Sequence, residues 1–450
     1  MTVIAAPVAL SPAPSAVLGP PAAARSSNGR DTGIDLLRAL CVVGVVVLHA
    51  LMVGVTVTDG APVFDNASTG TWWIIPVSWL LQVMPLFFVI GGFSGFLAYE
   101  AARRRGGTAA AFVTARVHRL LRPALVVIGA VGALLVLLLA AGVPAELVAV
   151  AGYRYGQPLW FLGVFMLCQA LLPALVAAHR RRPAIALLSL VAAAVAVDAA
   201  RLTTGTPALG FLNLAFVWLA LQQIGFFLAD GRIDALGRRT RAAIGGLAVG
   251  LLLLTVVTGI HSPDLIENIN PPTTALLLVG VAHTALVSLH RTRLTQASRH
   301  PVAAAFSAFV NRRTMTIYLW HMPVLLAMAG ATALTALVGG IVLAPVGSVA
   351  WMAERPMWLL VTLALTALLA VPLARIENRT ASPASRSRIR AALAVAAGLA
   401  AVVLLLVCGT GPVTAAIAAA LLAGALRLAR ASARELGVHA RDVSRASSAA

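Results

Sequence analysis

The chain has 450 residues, of which 60% are hydrophobic and only 11% charged, with a formal net charge of +19. A soluble domain carries roughly 25% charged residues, so this composition excludes an ordinary soluble protein and implies that most of the surface faces lipid. The charge comes in short bursts between apolar runs, every basic residue being Arg and none Lys, which is the pattern of membrane loops and excludes a nucleic-acid-binding face.

Residues 1–30 are rich in Ala, Pro and Ser, and prolines interrupt each short apolar run, so they read as a disordered cytoplasmic tail rather than a signal peptide. A spanning helix needs about 20 apolar residues. Such runs begin near Ile34, Trp72, Leu120, Leu159, Pro183, Leu209, Ala242, Thr273, Thr314, Met357, Ala391 and Pro412. The predicted fold is therefore an all-α polytopic membrane helix bundle of about twelve helices. Ten belong to a body over 31–380, and two lie over 381–430 after an Arg/Ser-rich break, with a second Arg/Ser/Ala-rich tail at 431–450. Loop charge tests the assignment. Asp59 and Asp65 share a loop without Arg, the next holds Arg103, Arg104 and Arg105, and the alternation continues until only Arg154, Arg201 and Arg355 fall on the Arg-poor side. By the positive-inside rule both termini are cytoplasmic, in the plasma membrane. There is no convincing internal repeat, which weakens an inverted-repeat transporter reading. Cys41, Cys168 and Cys408 lie in or beside apolar runs, so neither a disulfide framework nor a metal site is expected.

Ionisable residues inside apolar helices are expensive and mark candidate sites. In the first helix Arg38 and His49 are eleven residues apart, about three turns or roughly 16 Å along the axis. Both project from one face, with Arg38 near the cytoplasmic boundary and Asp35 able to pair with it. Separately, Arg38 could be a snorkelling anchor and His49 a buried histidine tied between helices. Together they favour chemistry, because a neutral imidazole can take a proton from a hydroxyl. A second cluster, Arg116, His118, Arg119 and Arg122, stands where the third helix enters from the cytoplasm. Guanidinium forks bind phosphate, so it is a candidate dock for a nucleotide-linked donor. In the outer segment at 261–278, Asn268 and Asn270 are candidate acceptor contacts or simply turn formers. Trp72, Trp73 and Trp160 read as an interfacial belt. Gln82, Gln169, Asn213, Gln222, Gln223 and His283 read as interhelical glue, and His179, His290 and His300 as solvated.

The Asp-x-x-Arg-Ala start, the His after ten intervening residues, "PLFFVIGGFSGFL", Arg-x-x-Arg-Pro, "PLWFLGVFML" and "TIYLWHMPV" follow one another in this order. Over roughly 31–378 the chain thereby resembles acyltransferase family 3. The resemblance implies a ten-helix body that takes an acyl group, by default acetyl, from cytoplasmic acyl-CoA as co-substrate, with no cofactor, and passes it to a hydroxyl on a glycan, glycolipid or small molecule. It implies an essential Arg38 and His49, donor-binding Arg119 and Arg122 with Arg116 as an alternative register, and supporting roles for Tyr318 and His321. Gly91 stands where the family often has Ser, so no role is expected of it. The remaining partner is the bilayer. The rival readings are a transporter or flippase, which would also line a path with His and Arg, and a non-catalytic membrane scaffold that would tolerate loss of both.

Overall fold

The computed structural model describes residues 31–379, 383–432 and 435. The tails expected at 1–30 and 431–450 therefore lie outside the described residues, apart from 431, 432 and 435. Among the described residues eleven helices are long and apolar enough to cross a membrane, or twelve if one pair bent by 70° is counted as a span. The all-α polytopic bundle is the fold observed.

Helix α1 (Thr32–Met52) starts at Asp31, whose side chain accepts from the Ile34 amide at 3.1 Å and caps the first turn. Its far end runs into an element that hydropathy did not predict, an antiparallel hairpin of β1 (Val53–Thr58) and β2 (Ala61–Asn66). The turn is Asp59–Gly60, with φ of 51° and 75°, the left-handed pair that a two-residue hairpin requires. The second apolar run is broken into α2 (Ile74–Leu81) and α3 (Met84–Arg104). The third, α4 (Ala109–Ala140), begins well before the expected Leu120, so its arginines sit inside a helix and not at its start. There follow α5 (Ala145–Gly156), α6 (Trp160–Arg181), α7 (Pro183–Thr204), α8 (Asn213–Ala229) and α9 (Arg238–Val257). The bent pair is α10 (Ala275–Leu289) with α11 (Arg291–Ser298). The rest are α12 (Pro301–Asn311), α13 (Thr314–Gly339), α14 (Val349–Asn378), α15 (Arg388–Val407) and α16 (Pro412–Ala429).

Lipid offers no hydrophobic drive for helix pairing, so close backbone approach has to supply the packing. The α3–α8 crossing shows how. A Cβ on Gly92 would lie 2.1 Å from the Gln222 carbonyl oxygen, and one on Gly225 would lie 2.1 Å from that of Val89. Only glycine permits this contact, which seats α3 directly against α8. Around α1 stand α3 and α11 to α14, while α7 and α9 are peripheral and present exposed Leu188, Leu247 and Leu254. Helices α15 and α16 pack on α4 and α6. Arg390 clasps their near ends, donating to the carbonyls of Arg427, Leu428 and Arg430 at 2.9–3.2 Å.

The bundle has an arginine-rich end and an arginine-poor end. At the first, Arg291 pairs with Asp31 at 2.8 Å and with Asp234, joining α1, the segment after α8 and α11. At the second, Arg355 is buried between Trp351 and Trp358, 4.0 and 4.9 Å from their ring centroids, and donates to the Val53 carbonyl at 3.3 Å. That contact ties the hairpin to α14.

Candidate active site

Two cavities flank α1. The one towards the arginine-rich end has a volume of about 140 Å³ and is lined by Arg38, Arg116, Arg119, Ser94, Gln169 and Glu377, among others. Arg38 reaches it from α1, held by Asp35 at 3.1 Å and by the Ser94 hydroxyl of α3. Arg116 and Arg119, one turn apart on α4, enter from the opposite wall, Arg116 lying over the Phe112 ring at 5.0 Å. Asp35 at the side pairs with Arg38, so three guanidiniums and one further carboxylate line the cavity. That carboxylate, Glu377, is taken up elsewhere: it accepts from the Thr316 hydroxyl at 2.7 Å and from the amides of Thr316 and Met315 at 3.0 and 3.3 Å. It caps the start of α13, where a negative charge is favoured, and leaves the cavity's positive field to an incoming anion.

The second cavity, about 240 Å³, lies towards the arginine-poor end and is lined by His49. Its walls are apolar, with Val42, Val46, Met84, Met322 and Leu326, and its rim is polar, with Asp65, Asn66, Arg154, Gln157 and Asn270. The hairpin forms part of the rim, and Arg154 donates to the Phe64 carbonyl at 3.4 Å. Ile266, Ile269 and Asn270 come from the segment between α9 and α10.

His49 meets His321 of α13 across 3.1 Å between its Nδ1 and the partner's Nε2, the rings tilted by 38°. The hydrogen-bond pattern determines the tautomers. The Tyr318 carbonyl can only accept, so the His321 Nδ1 facing it carries the proton. In the neutral ring His321 Nε2 is then an acceptor, and His49 Nδ1 must be the donor to it. His49 is left with an unprotonated Nε2 on a cavity-lining ring. Tyr318 is anchored in turn, its hydroxyl donating to the Pro158 carbonyl at 2.6 Å.

The predicted site residues divide across these cavities. Arg38, Arg116 and Arg119 share one with Asp35 at its side; His49 and Tyr318 line the other, with His321 behind His49. Arg122 joins neither: it donates to the Arg379 carbonyl at 2.7 Å and lies 3.5 Å from His118, so the alternative register, Arg116 with Arg119, is the one the helix presents. Ser94, Asn311 and Glu377 were not anticipated. Ser94 stands one turn after Gly91, which itself lines the arginine cavity, and Asn311 donates to the Asp35 carbonyl at 2.8 Å. Gln169 lines the same cavity, whereas Gln82, Asn213 and Gln222 donate to carbonyls of neighbouring segments, as interhelical glue would.

Three expectations are corrected. Trp73 is not a surface residue but is buried against Trp351, while Trp72 is exposed. Trp160 stacks on Trp218 and lines the His49 cavity. His179 is not solvated: it is buried between Asp230, at 2.9 Å from Nε2, and Gln223, at 2.9 Å from Nδ1. Asn268 holds its own loop together through the carbonyls of Ser262 and Asp264, leaving Asn270 as the asparagine at the cavity. Among the described residues no group of three His, Cys, Asp or Glu is placed to hold a metal ion.

No curated protein and no solved structure matches the chain. A family model described as an acyltransferase domain matches residues 31–375, which is more than half of the sequence and covers every residue of both cavities except Glu377. The chain belongs to acyltransferase family 3, a family of membrane acyltransferases.

Proposed function

We propose that the protein moves a short acyl group, acetyl by default, from acyl-CoA on the cytoplasmic, arginine-rich side to a hydroxyl presented in the His49 cavity. The donor's phosphates dock on Arg116 and Arg119, with Arg38 deeper along the same path. Bidentate guanidinium contacts suit phosphate geometry. The acceptor enters from the arginine-poor side. Apolar walls beneath a polar rim suit a hydroxyl carried on a lipid-linked sugar or a largely apolar small molecule.

The reaction needs one proton relay. His49 Nε2 takes the hydroxyl proton as the oxygen attacks the thioester carbonyl; the C–O bond forms, the C–S bond breaks, and the proton passes to the departing thiolate. Throughout, His49 Nδ1 keeps donating to His321, which holds the ring and receives a stronger hydrogen bond when His49 becomes an imidazolium. Tyr318 fixes His321 through its carbonyl.

The observation that carries the proposal is the pairing of a histidine with a defined lone pair and a cationic cavity on the other side of one shared wall. Thiol release from acetyl-CoA by the protein in membranes tests it, wild type against His49→Ala. Slow release through hydrolysis or self-acylation is expected from wild type and is lost, by about 10²-fold or more, in a folded His49→Ala protein. Folded wild type that neither releases thiol nor binds acyl-CoA would overturn the acyltransferase reading in favour of transport.

A further inference from the structure

The two cavities have four lining residues in common: Phe87, Phe161, Thr314 and Met315. Each approaches the same wall from opposite sides, and His49 lines only one of them while the three arginines line only the other. An acyl group held by its carrier among the arginines therefore reaches His49 through this wall.

The wall is aromatic and supported from behind. Phe87 and Phe161 meet edge to face, with ring centroids 5.3 Å apart and planes at 75°. Phe161 is further packed on Phe165 at 5.5 Å and edge-on to Tyr318 at 4.8 Å, and Phe88 closes on it at 5.7 Å. Rings in such a cluster can turn about their own axes, but displacing one requires its neighbours to give way, because a packed interior leaves little slack. Rings that part for the carrier's arm must also make room for every methylene beyond the acyl carbonyl, so a two-carbon group crosses with the least displacement.

We propose that Phe87 and Phe161 form a gate between the cavities that selects short acyl groups, and so determines donor specificity. The proposal rests on the acyltransferase reading and names what that site admits. Neither ring belongs to the histidine relay or to the arginine cluster. A ring replaced by a branched aliphatic side chain of lower volume opens the wall while keeping it apolar.

The test is the ratio of initial thiol release from acetyl-CoA and hexanoyl-CoA, read in membranes carrying wild type, Phe161→Leu or Phe87→Leu, with His49→Ala membranes as the blank. Taking the ratio within one preparation cancels any loss of folded protein. Wild type is expected to favour acetyl-CoA by about tenfold or more, as pockets that sense added methylenes do. Each leucine variant is expected to shrink that preference by raising the hexanoyl rate relative to the acetyl rate. A wild type that turns over both donors equally would overturn the gate, and so would variants whose ratio stays at the wild-type value. A wild type without His49-dependent release would overturn the acyltransferase reading and the gate together.

Discussion

The two cavities differ in how their polar groups are satisfied, and the difference explains why one reads as a docking site and the other as a reaction site. Around the arginines, Asp35 pairs with Arg38 and Glu377 is taken up by the amides that open α13, so the positive charge of Arg116 and Arg119 is left facing a small space. At His49, two successive contacts fix one proton: the Tyr318 carbonyl orients His321, and His321 orients His49. Excess charge in a partly open cavity attracts an anion and tolerates imprecise placement. A single directed lone pair in an apolar cavity does not attract ligands, but it is positioned for proton transfer. The comparison predicts that damage to one cavity appears in donor binding and damage to the other in turnover.

The largest separation is expected from Arg116→Ala combined with Arg119→Ala. Charge-assisted hydrogen bonds contribute about 1.5–3 kcal/mol each. Arg119 stands exposed at the mouth, which puts the combined loss towards the lower end, about a hundredfold in kcat/KM for acetyl-CoA. The loss should fall almost wholly on KM, since these contacts are made before and during the reaction alike. Steady-state thiol release over a range of acetyl-CoA concentrations reads it. A fall in kcat with KM unchanged would mean that the arginines act on the reacting atoms and that the cavities are not separate in function.

Much of this arrangement is legible in the sequence because it is local. Arg38 and His49 lie on one helix, and their spacing puts them on one face whatever the helix packs against. The choice among Arg116, Arg119 and Arg122 is not local: a three-residue step drifts by about 60° from a full turn, so Arg122 has rotated well away from Arg116 and only the neighbouring helices decide which pair faces inward. The His49–His321 contact spans 272 residues of sequence and depends on how α1 and α13 pack. The burial of Trp73 is hidden for a related reason, since in an apolar chain the lipid-facing and protein-facing sides have the same composition, whereas His179 reads as solvated because arginines follow it and is buried only by the packing of α6 against the end of α8. The hairpin is a different case. Alternation in "VGVTVT" and "APVFDN" around an Asp-Gly pair is a strong hairpin signal, but it lay in a loop read only for its charge. The Arg/Ser-rich break before α15 likewise says nothing of where that helix packs, and its contacts with α4 and α6 are tertiary.

A smaller effect, confined to turnover, is expected at His321. In His321→Leu the donor at His49 Nδ1 loses its acceptor and the ring loses its orientation. A full ångström of misplacement of a reacting group costs about a hundredfold; with His49 still carried by α1 the loss should be smaller, about tenfold, in kcat, with the acetyl-CoA KM unchanged. The amide oxygen of His321→Gln can accept from His49 Nδ1, so part of the rate should return. Equal losses in both variants would reduce His321 to a packing residue, and a raised acetyl-CoA KM would break the division between the cavities from the other side.

The smallest effect is expected at the hairpin that rims the His49 cavity. Gly60 has φ of 75° in the turn, where a branched L side chain is strained by about 1–2 kcal/mol. Gly60→Val should therefore loosen the rim strand that carries Phe64, Asp65 and Asn66, while Arg355 continues to hold β1 through the Val53 carbonyl. Water would reach His49 more often, and acceptor-independent thiol release from acetyl-CoA should rise a few-fold at unchanged acetyl-CoA KM. The sign is the informative part. A rise says that the hairpin shields the reaction from water on the acceptor side. A fall would say that the hairpin instead braces α1 and holds His49 in place, because β1 follows directly from the end of that helix, and the rim and the relay would then be one mechanical unit.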